Sequence, residues 1–229
     1  MDCIYYPSFN NNNNYINIEH TFTNHLKALR IRLGDSLLIT NGQGLLVKTT
    51  LMNEDKQSYV FKIIDKIENF DCFPNRFALA LGIIDSRDRF EFAFEKAVEL
   101  GITDFFPLIT QNTQKDTIKI ERLTAKAIAA ISQSQRAMLP VIHHPIKISD
   151  LAEQFSQFKK IFIADISGKQ LGKGKKPESF IIVIGPEGGF TDEELDLLKS
   201  IKNSVLFSLG DKRLRTETAA IVSLGLLCT

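Results

Sequence analysis

Two short segments near the C-terminus place the strongest constraint on the fold of this chain. The first, from Ile181 to Phe190, reads IIVIGPEGGF, and the second, from Ser208 to Ala219, reads SLGDKRLRTETA. Each follows an apolar, strand-like run, breaks into a tight loop and then enters a helix. In α/β proteins, ligands bind where loops leave the carboxyl ends of strands, next to helix N-termini. We therefore expect the two loops to share one pocket.

The first loop follows a buried strand predicted at Ile181–Ile184. Gly188 and Gly189 permit positive φ and a close approach of the backbone to a ligand. Thr191 with Glu194 three residues later predicts a capping box at the start of a helix. The acidic first turn of this helix repels phosphate and no lysine follows the glycines, so the segment is not a P-loop. The alternative is a strained connection with no ligand.

The second loop is basic, since Lys212, Arg213 and Arg215 lie within four positions of one another. A basic loop at a helix start suits an anionic partner, either a carboxylate or a nucleic-acid phosphate. The alternative is a solvated basic turn. The helix that follows is almost wholly apolar from Ala219 to Cys228, which predicts that it is buried on most sides. It is too short to span a bilayer.

Strands and helices alternate through the C-terminal part of the chain. This alternation predicts an α/β domain with a mainly parallel sheet. The first strand–helix junction has no G-x-G-x-x-G, which argues against an ordinary Rossmann cofactor site there. The best linker before this region is Asp71–Asn75. The predicted strands are Phe77–Ile84, Phe105–Ile109 and Ile161–Ala164, and the predicted helices are Asp88–Leu100 and Glu121–Gln135.

Strands cluster in the N-terminal part. The predicted strands are Ser36–Thr40, Leu45–Leu51 and Tyr59–Ile67, after a short helix at Thr21–Arg30. Asn41-Gly42 is a hairpin signal between the first two strands. We therefore predict a small β-barrel, and the pattern alone does not distinguish one barrel type from another.

Composition describes an ordinary globular protein and gives no electrostatic argument for nucleic acid. The hydrophobic content is 44%, the charged content is 24% and the net charge is +1. Three cysteines, Cys3, Cys72 and Cys228, form no C-x-x-C pair and suit a reducing cytosol. Met1 to Phe9 lacks the features of a signal peptide. We expect a cytoplasmic protein without a membrane-spanning segment.

Two further motifs favour ordinary surface roles. The segment Gly168–Lys176 is rich in glycine and lysine but does not match the P-loop spacing, so we predict a solvated loop, which could still contact RNA. His143-His144 has no nearby cysteine or acid at metal-ligand spacing, so we predict a surface role and no metal site.

The two C-terminal segments together resemble the RsmE family of 16S ribosomal RNA uridine-N3 methyltransferases, which belongs to the SPOUT superfamily. The resemblance extends upstream in the right order along nearly the whole chain. Where the family usually has R-I-L-R, this chain has KRLR at Lys212–Arg215, so a contact assigned to Lys212 is in doubt. The upstream matches are HLKALR at 25–30, GD at 34–35, NGQG at 41–44, FEKAVELGI at 94–102 and QSQR at 133–136.

The resemblance implies a fold and a reaction. It implies a PUA-like RNA-binding barrel over residues 1–70 and a trefoil-knotted SPOUT domain over residues 71–229. The implied reaction is transfer of a methyl group from S-adenosylmethionine (SAM) to N3 of a uridine in 16S rRNA of the small ribosomal subunit. Two alternatives remain open: a SPOUT methyltransferase for another RNA, and a non-catalytic RNA-binding assembly factor.

The resemblance also implies residue roles and a homodimer that needs no metal. Two charged groups beside the implied methyl site, Arg215 and Glu217, are our candidate catalytic residues, the first to stabilise the uracil anion and the second to accept its proton. Glu217 has an alternative role as a helix-terminus residue that holds the loop. The implied RNA contacts are Arg30, Arg32, Gln133 and Arg136, the last two reaching RNA held by the other subunit. The implied SAM contacts are Gly185, Glu187, Gly188, Gly189, Leu209, Gly210, Leu214, Arg215, Thr218 and Ala219.

Overall fold

The computed structural model describes residues 1–10, 12–19, 26, 29–72, 75–114, 117–172 and 178–228. The chain divides into two compact units, one drawn from residues 1–72 and 128–139, the other from residues 73–127 and 140–229. The predicted domain division between residues 70 and 71 stays a prediction, and the structure groups residues 128–139 with the N-terminal part. The predicted helix at Thr21–Arg30 falls largely outside the described residues, and the predicted linker at Asp71–Asn75 falls partly outside them.

The first unit contains a five-stranded sheet. Its strand order is β1-β3-β4-β5-β2, and β1 pairs parallel to β3 while the other neighbours are antiparallel. The strands are β1 (Cys3–Tyr5), β2 (Tyr15–Glu19), β3 (Ser36–Thr40), β4 (Leu46–Glu54) and β5 (Ser58–Ile67). The three predicted strands are therefore confirmed, and β1 and β2 are additional.

Hydrophobic alternation explains why this sheet has one buried face. In β2, Ile16 and Ile18 are buried while the residues between and beside them are exposed. These isoleucines join a core that includes Ile39 and Phe61. The predicted Asn41-Gly42 hairpin is confirmed, because β3 pairs antiparallel with β4 and Gly42 has a φ of 74°.

The second unit contains a seven-stranded sheet in which all pairings are parallel, so the predicted α/β class is confirmed. The strand order is β12-β10-β11-β6-β7-β8, and β9 also pairs with β7. The strands are β6 (Phe77–Gly82), β7 (Asp104–Ile109), β8 (Val141–Ile142), β9 (Ile146–Lys147), β10 (Lys160–Gln170), β11 (Phe180–Ile184) and β12 (Ser204–Ser208).

Within the described residues, five α-helices accompany this sheet. They are α1 (Arg87–Glu99), α2 (Ile120–Ser134), α3 (Leu151–Phe155), α4 (Asp192–Ser200) and α5 (Thr216–Cys228). The chain of α2 runs from the second unit into the first at residue 128. Every residue of β6 and β11 is buried, as expected for central strands covered on both faces. In the part of the chain that the structure describes, no helix has the length and apolar character needed to cross a bilayer.

Strand β10 is much longer than the predicted Ile161–Ala164. After Ala164 its pairing with β12 shifts, so that Ala164 and Lys169 both lie opposite Phe207. Gly168 permits this approach, because a Cβ atom there would lie 2.6 Å from the Phe207 Cα. The prediction of a solvated loop at Gly168–Lys176 is wrong for residues 168–170, which are strand. Residues 173–177 lie outside the described part.

A buried carboxylate, Asp104, organises the amino end of β7. It accepts hydrogen bonds from Arg76 Nε at 3.0 Å and Thr103 Oγ1 at 2.7 Å, and His143 Nε2 lies 2.9 Å from its Oδ1. The His143 ring stacks on Phe106 with centroids 3.8 Å apart. The predicted surface role of the histidine pair is therefore wrong for His143, which is partly buried and bonded, while His144 is exposed.

The surroundings of Asp104 fix its ionisation. Burial alone would raise the pKa of its carboxyl, but hydrogen bonds from His143, Arg76 and Thr103 outweigh that effect and lower the pKa to about 2. The ordinary value is 3.8. Because the pKa of Asp104 is lower in the folded state, its ionised form contributes its full stabilisation of the fold above the ordinary pKa of 3.8. This contribution is lost as the pH falls through the folded pKa of about 2.

We expect Asp104→Asn to lower the free energy of unfolding at pH 7 by about 3 kcal/mol, because it removes the buried carboxylate to which Arg76, Thr103 and His143 are bonded. The wild type should lose about 2 kcal/mol more than the variant between pH 4 and pH 2. Urea denaturation across this range measures both effects. Asp196→Asn, which removes an exposed surface ion pair, is the control. Equal pH slopes for the wild type and Asp104→Asn would contradict this account.

Candidate active site

A cavity of about 890 Å³ lies at the carboxyl ends of three adjacent strands, β12, β10 and β11. The predicted pocket shared by the two C-terminal loops is therefore present. Both loops line it, together with residues 164–166 of β10. The lining residues used below are Arg89, Asp165, Ile166, Ile184, Gly185, Glu187, Gly188, Gly189, Leu209, Gly210, Arg213, Leu214, Arg215 and Ala219.

The loop after β11, residues 185–190, is called the glycine loop here. Asn112 Nδ2 donates to the carbonyl oxygens of Gly188 at 3.2 Å and Gly189 at 3.1 Å. A Cβ atom on Gly188 would lie 2.9 Å from the Asn112 Cβ, and Gly189 has a φ of 71°. The loop therefore needs glycine at both positions, at the first for space and at the second for backbone conformation.

The base of the glycine loop packs directly on strand β6. A Cβ atom on Gly82 would lie 2.5 Å from the Pro186 Cδ and closer still to the Pro186 nitrogen. At the far end of the loop the predicted capping box is confirmed. Thr191 Oγ1 accepts from the Glu194 backbone at 3.2 Å, and Glu194 Oε2 accepts from the Thr191 backbone at 3.0 Å. Both ends of the loop are thereby held in place.

The loop between β12 and α5, residues 209–215, is called the basic loop here. Gly210 has a φ of 110°, and its backbone nitrogen donates to Ser208 Oγ at 3.1 Å. The residues from Asp211 to Arg215 are all exposed. Arg213 Nη2 donates to the backbone oxygen of Glu187 at 2.9 Å, so the basic loop is bonded to the glycine loop.

An ion-pair network of Arg89, Glu187 and Glu217 lies beside the cavity. Arg89 Nη2 is 2.6 Å from Glu187 Oε1, and Arg89 Nη1 is 3.5 Å from Glu217 Oε2. Glu217 is only 7% exposed, and its Oε2 has no hydrogen-bond partner. A buried carboxylate of this kind is stable only with a cation nearby.

The structure brings most of the predicted cofactor residues together. Gly185, Glu187, Gly188, Gly189, Leu209, Gly210, Leu214, Arg215 and Ala219 all line the cavity. Thr218 is exposed and is not among the lining residues, because it lies on the outer side of the first turn of α5. Of the predicted catalytic pair, Arg215 lines the cavity and Glu217 does not.

The predicted RNA contacts belong to the first unit. Arg30, Arg32 and Gln133 are exposed. Arg136 is 6% exposed, and its Nε lies 3.6 Å from the Asp71 carboxylate. The buried side chain of Arg136 is therefore paired with a partly exposed carboxylate within its own unit.

Sequence reasoning missed three kinds of residue in this region. Arg89 approaches from the first turn of α1, and Asp165 and Ile166 come from the extension of β10. Asn112, which holds the glycine loop, follows β7. None of these residues stands in a motif, and only the parallel order of the strands brings them to the same edge. Across the described residues, no group of three or more histidines, cysteines or acids has a geometry that would hold a metal ion.

Comparison with known proteins agrees with this geometry. The family described as "RNA methyltransferase domain" matches residues 71–228. Ribosomal RNA small subunit methyltransferase E of Mesomycoplasma hyopneumoniae is 31% identical over 91% of this chain and 91% of its own length. The chain belongs to the RsmE family of RNA methyltransferases. The RsmE protein of Rickettsia conorii is 32% identical over 86% of this chain and 82% of its own length.

Solved structures agree with the RsmE assignment. A methyltransferase structure from Legionella pneumophila, in complex with the cofactor SAM, superimposes with a TM-score of 0.83 at 26% identity. The match covers 98% of this chain and 96% of that one. The arrangement of strands and helices described above is therefore similar to that of the Legionella protein over nearly all of both chains.

We expect Gly82→Ala to lower the free energy of unfolding by about 2 kcal/mol, because its methyl group would displace the Pro186 backbone. Gly172→Ala is the matched control, since a Cβ atom there would meet nothing within 4 Å. The control should change stability by less than about 0.5 kcal/mol. Urea denaturation of both variants measures the difference, and equal midpoints would refute the close packing of the loop on β6.

Proposed function

We propose that this protein transfers a methyl group from SAM to N3 of a uridine in 16S rRNA of the small ribosomal subunit, giving 3-methyluridine. The observation that carries the proposal is the single cavity built by the glycine loop and the basic loop in a chain of the RsmE family. Methyltransferase structures with bound SAM support the choice of cofactor.

The cavity suits a ligand of the size and chemistry of SAM. Its volume of about 890 Å³ falls within the usual range for small-molecule sites. Gly185, Gly188 and Gly189 line the cavity, so a ligand there would meet backbone groups of the glycine loop. We propose that Leu209 and Leu214 pack on the adenine, while the glycine loop and the start of α5 hold the rest. When bound, SAM supplies an electrophilic methyl group on a sulfonium.

The chain must make uracil N3 nucleophilic, because N3 carries a proton at neutral pH. We propose that Arg215, which is exposed in the cavity, stabilises the negative charge that develops on the uracil. The target base must also leave its stack to reach the cavity. For Glu217 the two predicted roles stay open. Its burial and its contact with Arg89 favour holding the loop over accepting the proton.

We expect Arg215→Ala to lower kcat by roughly a hundredfold, the usual loss when one group that stabilises a developing anion is removed. Lys202→Gln is the control, because Lys202 is exposed, has the same charge and lies outside the cavity lining. Steady-state methylation with saturating SAM and saturating small subunits measures kcat. Full activity of Arg215→Ala would rule out the proposed role.

We propose that the first unit is a PUA-like domain that binds the RNA, with contacts from Arg30, Arg32 and Gln133. Their exposure supports this role. Arg136 would join them only if its pair with Asp71 opens.

The trefoil knot of the second unit also stays a prediction. We place the enzyme in the cytoplasm with its substrate. Within the described residues Cys3, Cys72 and Cys228 form no disulfide, which is consistent with a reducing compartment.

We propose a homodimer in which each subunit helps to complete the site of the other. Two apolar side chains on packed helices support it: Phe92 on α1 is 48% exposed and Val222 on α5 is 39% exposed. Burying these two side chains against a second copy of the chain would remove apolar area from water.

We expect Val222→Glu to convert the dimer into a monomer, because a charge would be buried at the interface. Leu197→Glu is the matched control, since Leu197 is also an exposed aliphatic side chain but lies on α4, away from the two helices of the proposed interface. Light scattering gives the mass of each variant. A monomeric wild type, or a Val222→Glu dimer, would contradict the proposed interface.

The function is tested with labelled SAM and small ribosomal subunits that lack base methylation, followed by nucleoside mass spectrometry. The proposal predicts 3-methyluridine at one position of 16S rRNA. SAM binding without transfer would favour the alternative of another RNA substrate. Neither binding nor transfer would favour the non-catalytic assembly factor.

A further inference from the structure

One guanidinium group joins the two segments that build the cavity. Arg89 lies in the first turn of α1 and contacts Glu187 in the glycine loop at 2.6 Å and Glu217 in the first turn of α5 at 3.5 Å. The two carboxylates are far apart in sequence, and Arg89 comes from a third segment. A planar guanidinium can serve two carboxylates at once because its donors point in fixed, different directions.

Glu217 depends on this contact. Its side chain is buried, its Oε2 is unpartnered by any hydrogen bond, and Arg89 provides its one ion pair among the described residues. Removing the cation would leave a buried carboxylate uncompensated, which is strongly unfavourable. The first turn of α5, which precedes the cavity residue Ala219, would then have to move.

Glu187 is held by two arginines. Arg89 binds its carboxylate, and Arg213 binds its backbone oxygen at 2.9 Å. Asn112 fixes the next two carbonyl groups of the same loop. In the described part of the second unit, Arg89 is thus the residue that links the glycine loop to the start of α5 by ion pairs.

We infer that Arg89 is a positioning residue for the cofactor pocket. By holding Glu187 and Glu217 together, it sets the distance between the glycine loop and α5, and so the width of the pocket that lies between them. This role rests on the proposed function, since it concerns the binding of SAM. It requires no contact between Arg89 and the reacting atoms, so its loss affects cofactor affinity more than the chemical step.

Calorimetry with SAM tests the inference on four variants of the full-length chain. Arg89→Gln should raise the Kd for SAM by roughly tenfold, the equivalent of one lost charge-assisted hydrogen bond. Glu187→Gln should also raise the Kd for SAM. The double variant should bind no more weakly than Arg89→Gln, because both changes break the same pair. Arg89→Lys should lie between the wild type and Arg89→Gln, since a single ammonium group cannot serve both carboxylates.

The control is Arg87→Gln, which removes the same charge from the same helix at a side chain that is 70% exposed and outside the cavity lining. It should leave the Kd within about twofold of the wild-type value. Turnover at saturating SAM should fall by a smaller factor than the affinity in Arg89→Gln, because the proposed role requires no contact between Arg89 and the reacting atoms. If Arg89→Gln does not fold, Arg89→Lys, which keeps the charge but not the two-sided contact, carries the test.

The outcomes separate the inference from the proposed function. If the wild type binds SAM and Arg89→Gln binds it with the same affinity, the inference is overturned while the proposed function stands. Multiplicative losses in the double variant also overturn it, because they show that Arg89 and Glu187 act independently. A loss confined to turnover, with normal affinity, assigns Arg89 to chemistry and overturns the positioning role. A wild type that does not bind SAM overturns the inference together with the proposed function.

Discussion

The close packing of the glycine loop on the central strands of the parallel sheet is the constraint on which the site depends. Gly82 at the end of β6 leaves room for Pro186, so the chain can turn immediately after β11. Because β6 and β11 are fully buried, this turn begins from a rigid base. The carbonyl groups of the loop are then fixed by Asn112, and its helix end by the Thr191 capping box.

Charge at the site is organised locally, although the chain as a whole carries a net charge of only +1. The basic loop presents its cations to solvent, while Arg89 is engaged by two carboxylates. The exposed cations of the basic loop can therefore bind an anionic partner. Arg89, which is already paired, instead holds the two segments that line the pocket. Overall charge cannot reveal this division, because it sums groups whose environments differ.

The sequence predicts elements whose signal is local. The parallel sheet, the Asn41-Gly42 hairpin and the capping box at Thr191 follow from buried runs, turn residues and spacing, and all are present. Strand β1 has three residues and β2 follows a run of asparagines, so each depends on its partner strand for its conformation. The extension of β10 is polar, and only its pairing with β12 makes it a strand.

The same distinction applies to the site. The two loops are predictable because glycine, proline and charge stand in recognisable order. Arg89, Asn112 and Asp165 are not, because each reaches the cavity through strand order and helix placement. His143 is missed for a related reason: its partner, Asp104, lies on a neighbouring strand and far away in sequence.

Hydrogen-exchange mass spectrometry with and without SAM tests the central claim most directly, because it reports backbone protection along the whole chain. The account predicts slower exchange in the glycine loop and across residues 209–219, with no change around Asp104 at the amino end of β7. Protection located elsewhere, with those two segments unaffected, would contradict the assignment of the cavity as the cofactor site.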